Sequence, residues 1–217
     1  MIEAVLGRTT APNCVLLLGA HCDDIEIGCG GTLLQCAARW PNTRFIWVTF
    51  SSNAERAVET RAAAARLLAE VRVREIRVEN FKEGYFPHTG ATLKDYFEGL
   101  KREAPELILT HYRHDLHQDH RVINELTWNT FRDHLVFEYE IPKFDGDLGH
   151  PNMFLPLSRE HMQRKTDILL ECFPSQRARS WFTRDTFMAL ARLRGIESNA
   201  PDGFAEAFYA RKLRLNI

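Results

Sequence analysis

Between Cys14 and Glu140, apolar runs alternate with amphipathic stretches, and that alternation predicts the elements. Cys14–Ala20 is a continuous apolar run, the pattern of a parallel strand covered on both faces. Gly31–Trp40 predicts a helix closed by Pro41 and Asn42. Arg44–Phe50 predicts a second strand, and Ala54–Glu70 a helix rich in Ala, Arg and Leu. A short third strand is expected over Glu75–Val78, then a loop from Phe81 to Gly90 and a helix near Thr92–Glu103. Leu107–Thr110 predicts a fourth strand, Asp119–His134 a helix and Val136–Glu140 a fifth strand.

Strands that alternate with helices imply βαβ units. The expected class is α/β, a Rossmann-like three-layer sandwich with a mostly parallel central sheet. The remainder, Ile141–Ile217, is less regular. Pro142–Pro156 reads as a surface loop, followed by helices near Ser158–Glu171 and Arg184–Arg194. No repeat, low-complexity tract or second domain interrupts the chain, so residues 1–217 are expected to form a single domain.

Composition narrows the partners. A formal net charge of −1 over 217 residues gives no electrostatic case for nucleic acid or an acidic membrane surface. No apolar run approaches the ~20 residues of a membrane span. The N-terminus lacks a basic region followed by a long apolar core, and the five cysteines include no CxxC pair. A cytoplasmic protein with reduced thiols is the expectation.

Two polar clusters break the pattern, each beginning where an apolar strand ends. The first is His21-Cys22-Asp23-Asp24, followed by Gly28, Gly30 and Gly31. These glycines do not fit G-x-G-x-x-G, so the turn is not a dinucleotide fingerprint. A neutral imidazole and a carboxylate are ordinary ligands of Zn²⁺ and similar ions, and His21 and Asp24 can aim at one point. Asp23 would then remain free to take a proton from water. Capping of the next helix explains one of the two carboxylates but not both beside a histidine. Cys22 reads as a small buried residue, and Glu26 as solvated or as support for the site.

The second cluster runs from His111 to His120. His120, in the first turn of the predicted helix, can complete a His21/Asp24/His120 set. His117 can project into the same pocket to stabilise an oxyanion or protonate a departing amine. Asp119 is either the helix N-cap or the partner that holds an imidazole tautomer. His111 and His114 read as loop residues or as supports. Ligands of such sheets sit beyond the carboxyl ends of the strands, so both clusters can meet on one rim.

These motifs resemble those of the PIG-L/LmbE-like family of zinc-dependent N-acetyl-sugar deacetylases. Ala20-His21-Cys22-Asp23-Asp24 through Thr32 resembles its A-H-P-D-D segment, and Asp115-Leu116-His117-Gln118-Asp119-His120 its D-x-H-P-D-H segment. Gly203-Phe-Ala-Glu206-Ala-Phe208 is a weaker C-terminal echo. The resemblance implies hydrolysis of an N-acetyl group on an amino sugar or its conjugate. It places metal ligands on His21, Asp24 and His120, the general base on Asp23 and the oxyanion-stabilising histidine on His117. Asp115 and Asp119 are expected to support those ligands. Zn²⁺ is the expected ion, with Fe²⁺ or another divalent metal as the alternative. Arg61 resembles an arginine that positions sugar in some members, and reads equally as a solvated arginine of an Ala-rich helix; Tyr85 and His150 are further substrate candidates on the rim loops, where surface packing explains them as well. Cys22 and Gln118 replace the motif prolines, which loosens both turns without removing a ligand. A closed homo-oligomer is the usual state of such enzymes. The competing readings are a metal hydrolase of another amide or ester bond, and a non-catalytic sugar-binding module with a vestigial site.

Overall fold

The computed structural model describes residues 11–213. Seven strands form one sheet in the order β3-β2-β1-β4-β5-β7-β6. The parallel part comprises β1 (Cys14–Gly19), β2 (Arg44–Thr49), β3 (Val73–Val78), β4 (Leu107–His111) and β5 (Leu135–Tyr139). Two antiparallel strands extend it, β7 (Phe204–Tyr209) against β5 and β6 (Met153–Leu157) against β7. The α/β three-layer architecture with a mostly parallel sheet is thus the observed one.

Strand β1 explains why its sequence does not alternate. Val15 and Leu17 enter the core under α1 (Asp24–Arg39), α2 (Ala54–Leu67) and α5 (Arg159–Cys172). Cys14, Leu16 and Leu18 enter the opposite core, under α3 (Gly90–Leu100) and α4 (Gln118–Thr130). Both faces are dry, so every position is apolar. The sixth helix, α6 (Arg184–Ser198), packs on β7. No described helix is long and apolar enough to cross a membrane.

Strand β7 is not among the elements expected from the sequence, several element ends shift by a few residues, and two further differences bear on the fold around the site. The Pro142–Pro156 segment is not loop throughout: β6 starts at Met153 and includes Pro156. As an outermost strand it tolerates a residue without an N–H. Helix α1 begins at Asp24, seven residues before Gly31, and so contains the whole glycine cluster.

That cluster accommodates a break in the helix at Cys29 (φ −146°, ψ 19°). In an intact helix Ile27 C=O would accept from Gly31 N–H. Here the Lys165 ammonium donates to Ile27 O at 2.6 Å, and Gly31 N–H donates to Glu206 Oε1 at 2.8 Å. Thr32 N–H reaches Glu206 Oε2 at 2.6 Å, and Lys165 and Glu206 pair at 2.7 Å. A buried ion pair is therefore inserted into the helical ladder and satisfies the groups the break frees. Gly28 is required for a different reason: a Cβ there would overlap the Tyr139 ring.

Candidate active site

The chain order β3-β2-β1-β4 reverses direction between β1 and β4, which opens a crevice at their carboxyl ends. Both polar clusters lie there. The turn after β1 is fastened to β2 by Phe50 N–H donating to Gly19 O and Ser51 N–H to Ala20 O. Asp23 adopts φ 90°, a left-handed conformation that Asp tolerates better than most residues. It stands at the N-cap position but makes no side-chain cap. Its Oδ2 instead pairs with Arg56 Nη2 at 2.9 Å. Capping therefore does not account for this carboxylate.

Three atoms converge. His21 Nδ1 lies 3.1 Å from His120 Nε2, and Asp24 Oδ2 lies 3.5 Å from each. Ligand atoms ~2.0–2.1 Å from a tetrahedral zinc stand ~3.3 Å apart, so this triangle has the size of one face of such a site. The hydrogen bonds also point the lone pairs inward. His21 Nε2 lies 3.0 Å from Asp119 Oδ2, and His120 Nδ1 lies 2.9 Å from Asp115 Oδ2. A proton on each of those outer nitrogens leaves His21 Nδ1 and His120 Nε2 as the free bases.

His117 stands beside the triangle, its ring centroid 4.7 Å from that of His21 and 4.6 Å from that of His120. Its Nδ1 accepts the N–H of Asp119 at 3.3 Å. The neutral ring therefore carries its proton on Nε2, as a donor. The ligand atoms of His21, His117 and His120 also form a close group, as do those of Asp24, His111 and His120. His111, read from the sequence as a loop residue or a support, ends β4 fully buried. Its Nε2 accepts the Ala20 N–H at 2.9 Å and lies 3.3 Å from Asp24 Oδ2. That lone pair is already used, so His111 is not free to take a metal through it; its ring stacks on that of His120, with centroids 4.0 Å apart.

Electrostatics follow from burial and neighbours. Burial alone would lower the His21 pKa, but hydrogen bonds to Asp119 and Asp24 raise it to about 10. Burial, reinforced by His111, takes His120 down to about 3. Burial and the His21 charge also lower His117, which favours the neutral donor. Burial pushes Asp24 up, but its histidine neighbours, His120 and His111 foremost, outweigh it and hold the carboxylate well below its usual range. Burial raises Asp23 to about 7 against the opposing pull of Arg56. A proton on His21 supplies positive charge among the Asp24, Asp115 and Asp119 carboxylates, a place a divalent cation would take on binding. The donor set, its size and its charge all fit such an ion.

Each supporting aspartate also anchors a loop. Asp119 accepts from Gly84 N at 2.6 Å and Phe86 N at 3.2 Å, while Gln118 Nε2 donates to Gly84 O at 2.5 Å. Gln118 thus fastens the Tyr85 loop from the position of a motif proline. Cys22, in the other such position, is buried and its thiol faces Ser51 O at 3.5 Å. On the other side, Lys143 Nζ lies 3.0 Å from Asp115 Oδ2 and 2.5 Å from Asp147 Oδ2.

The remaining predicted residues lie apart from the triangle. Arg61 is exposed and donates to Ile76 O on β3 at 2.9 Å; no described contact joins it to the cluster. The arginine at the site is Arg56, one turn earlier on α2. Tyr85 is exposed on its loop with the Lys82 ammonium 3.6 Å from its ring centroid, and His150 is exposed. Glu26 is buried rather than solvated, with Oε1 unpartnered among the described residues; burial pushes its carboxyl well up. Arg56 and Lys143 carry no local signal in the sequence, since both reach the site by tertiary contact.

A family model described as PIG-L, GlcNAc-PI de-N-acetylase, matches residues 16–131. The fold is similar to that of the conserved protein TT1542 from Thermus thermophilus, with a TM-score of 0.73 at 20% identity over 94% of this chain and 96% of that one. It is similar to N,N'-diacetylchitobiose deacetylase from Pyrococcus horikoshii, with a TM-score of 0.70 at 18% identity over 91% and 83% of the two chains. GalB, the 4-carboxy-2-hydroxymuconate hydratase from Pseudomonas putida, gives a TM-score of 0.70 at 16% identity over 94% and 98%. At these identities the likeness establishes the fold alone. No curated protein matches the sequence.

Proposed function

Because the chain belongs to the PIG-L (GlcNAc-PI de-N-acetylase) family, we propose that it is a metal-dependent hydrolase that removes the N-acetyl group from an amino-sugar-containing small molecule. The observation that carries this reading is the His21 Nδ1, Asp24 Oδ2 and His120 Nε2 triangle, with sides of 3.1 and 3.5 Å, beside an uncapped Asp23 carboxylate. These three residues would hold a divalent cation, Zn²⁺ in the first instance. Such an ion, when bound, polarises a carbonyl and lowers the pKa of water to near 7.

The chain's own groups divide the remaining work. Asp23 takes a proton from the attacking water at its carboxylate, while Arg56 holds that carboxylate at 2.9 Å. His117 presents its Nε2–H to the oxygen of the carbonyl as it gains negative charge. Asp23 then returns the proton to the amine nitrogen as the C–N bond breaks, releasing acetate and the free amino sugar. Asp115 and Asp119 keep the two imidazoles in the tautomers this needs.

The test is acetate release from a panel of free, nucleotide-linked and inositol-linked N-acetyl sugars, with zinc, with iron(II) and with chelator. Asp23→Ala should retain metal yet lose about 10²–10⁴ in turnover, the range of a general base. His120→Ala should lose both metal and turnover. Equal turnover in wild type and Asp23→Ala would overturn the base assignment. Metal binding with no acetate released from any substrate would overturn the deacetylase reading.

A further inference from the structure

Nine large apolar side chains are exposed among the described residues, and four of them, Tyr85, Leu116, Phe144 and Leu148, lie on the segments that flank the site. Leu116 is 57% exposed, Phe144 76% and Leu148 46%. Single exposed apolar residues need no explanation; a group beside a crevice does.

These last three side chains belong to one tethered unit. Leu116 lies between Asp115, the partner of His120, and His117. Its N–H donates to Asp147 Oδ2 at 2.6 Å. Lys143 Nζ reaches the same Asp147 oxygen at 2.5 Å and Asp115 Oδ2 at 3.0 Å. Phe144 follows Lys143, and Leu148 follows Asp147. The apolar group is therefore fixed to the residues that hold the metal triangle, and presents itself to water at little ordering cost on binding. Tyr85 faces solvent from the opposite anchored loop.

We infer that the site takes an amino sugar carrying an apolar or aromatic aglycone, which seats on Leu116, Phe144 and Leu148 while the N-acetyl group enters the crevice. This rests on the deacetylase reading above. A polar free sugar would leave these side chains in water, whereas an aglycone removes their surface and its own from water together. Leu116 adjoins His117 in the chain, and the bond from its N–H to Asp147 ties the segment of Phe144 and Leu148 to it, which selects the substrate itself as the occupant.

Calorimetric binding of two probes to the metal-free protein, in which nothing is turned over, tests this: the methyl and the 4-nitrophenyl glycosides of N-acetylglucosamine. The 4-nitrophenyl glycoside should bind at least about tenfold more tightly, and Phe144→Ser/Leu148→Ser should bring that ratio to near one. Acetate release from the same pair should show the ratio in KM. A ratio of one in wild type, or a ratio that survives the double substitution, overturns the inference. So does a wild-type dimer that the double variant converts to monomer with the ratio unchanged, since a second copy would then cover the patch. If neither these probes nor any sugar of the panel above releases acetate while the binding ratio behaves as expected, the deacetylase reading fails and the seat stands as a binding site for the glycoside.

Discussion

Asp119 accepts the His21 Nε2–H at 3.0 Å with Oδ2, the oxygen that also accepts the Gly84 N–H at 2.6 Å. A single carboxylate thus sets an imidazole tautomer and ties down a loop. Asp119→Asn should weaken zinc affinity by about 10–100-fold, the usual cost of losing such a partner. Competition with a chromogenic chelator measures it, and wild-type affinity in the variant would remove Asp119 from the metal site.

Asp23 gives a pH-dependent stability in the metal-free protein. Its folded pKa is raised from 3.8 to about 7, so the folded state binds the proton more tightly than the unfolded state does. That contribution is complete below about pH 4 and is lost as pH rises toward 7. Asp23→Asn removes the titration and keeps a side chain that tolerates positive φ. The melting temperature of metal-free Asp23→Asn minus that of wild type should therefore increase between pH 4 and pH 8. A flat difference would show that the raised pKa is absent.

Lys165→Met leaves Glu206 buried, still bonded to Gly31 and Thr32 but without its cation. Breaking a buried pair from one side costs about 3–5 kcal/mol. Urea denaturation of the metal-free protein should show a loss of that order, and a loss below about 1 kcal/mol would mean that the helix break is held by other contacts.

Gln118→Pro places proline at the first residue of α4, where the ring fits and the N–H is dispensable. The helix should persist, with a melting temperature within a few degrees of wild type. The side-chain bond to Gly84 O is lost, so amide exchange at Gly84 and Phe86 should accelerate. Unchanged exchange at those amides would mean that Asp119 alone fastens the loop.

Strands β1 and β2 were legible because burial on both faces leaves an unbroken apolar run that little else produces. The convergence of His21, Asp24 and His120 was legible because each follows directly from a strand end or first helical turn. The start of α1 was not, because Gly28, Gly30 and Gly31 are poor helix formers, and an ion pair from α5 and β7 completes the ladder around the break. Strand β6 was hidden by Pro156 and the prolines before it. Arg56 and Lys143 were beyond sequence reasoning for a shared reason: each acts through a partner on another element, and one chain without its fold does not say which arginine of α2 faces Asp23.

The double duty of Asp115 and Asp119 constrains how this protein can diverge. A change that shifts either rim loop also disturbs an imidazole of the proposed metal triangle, so the mouth and that triangle cannot drift independently. New substrate preferences are most accessible through side chains that point away from those anchors, at Tyr85, Leu116, Phe144 and Leu148. The backbone of the mouth is inherited with the His21 and His120 geometry, and selection is left to work on its surface.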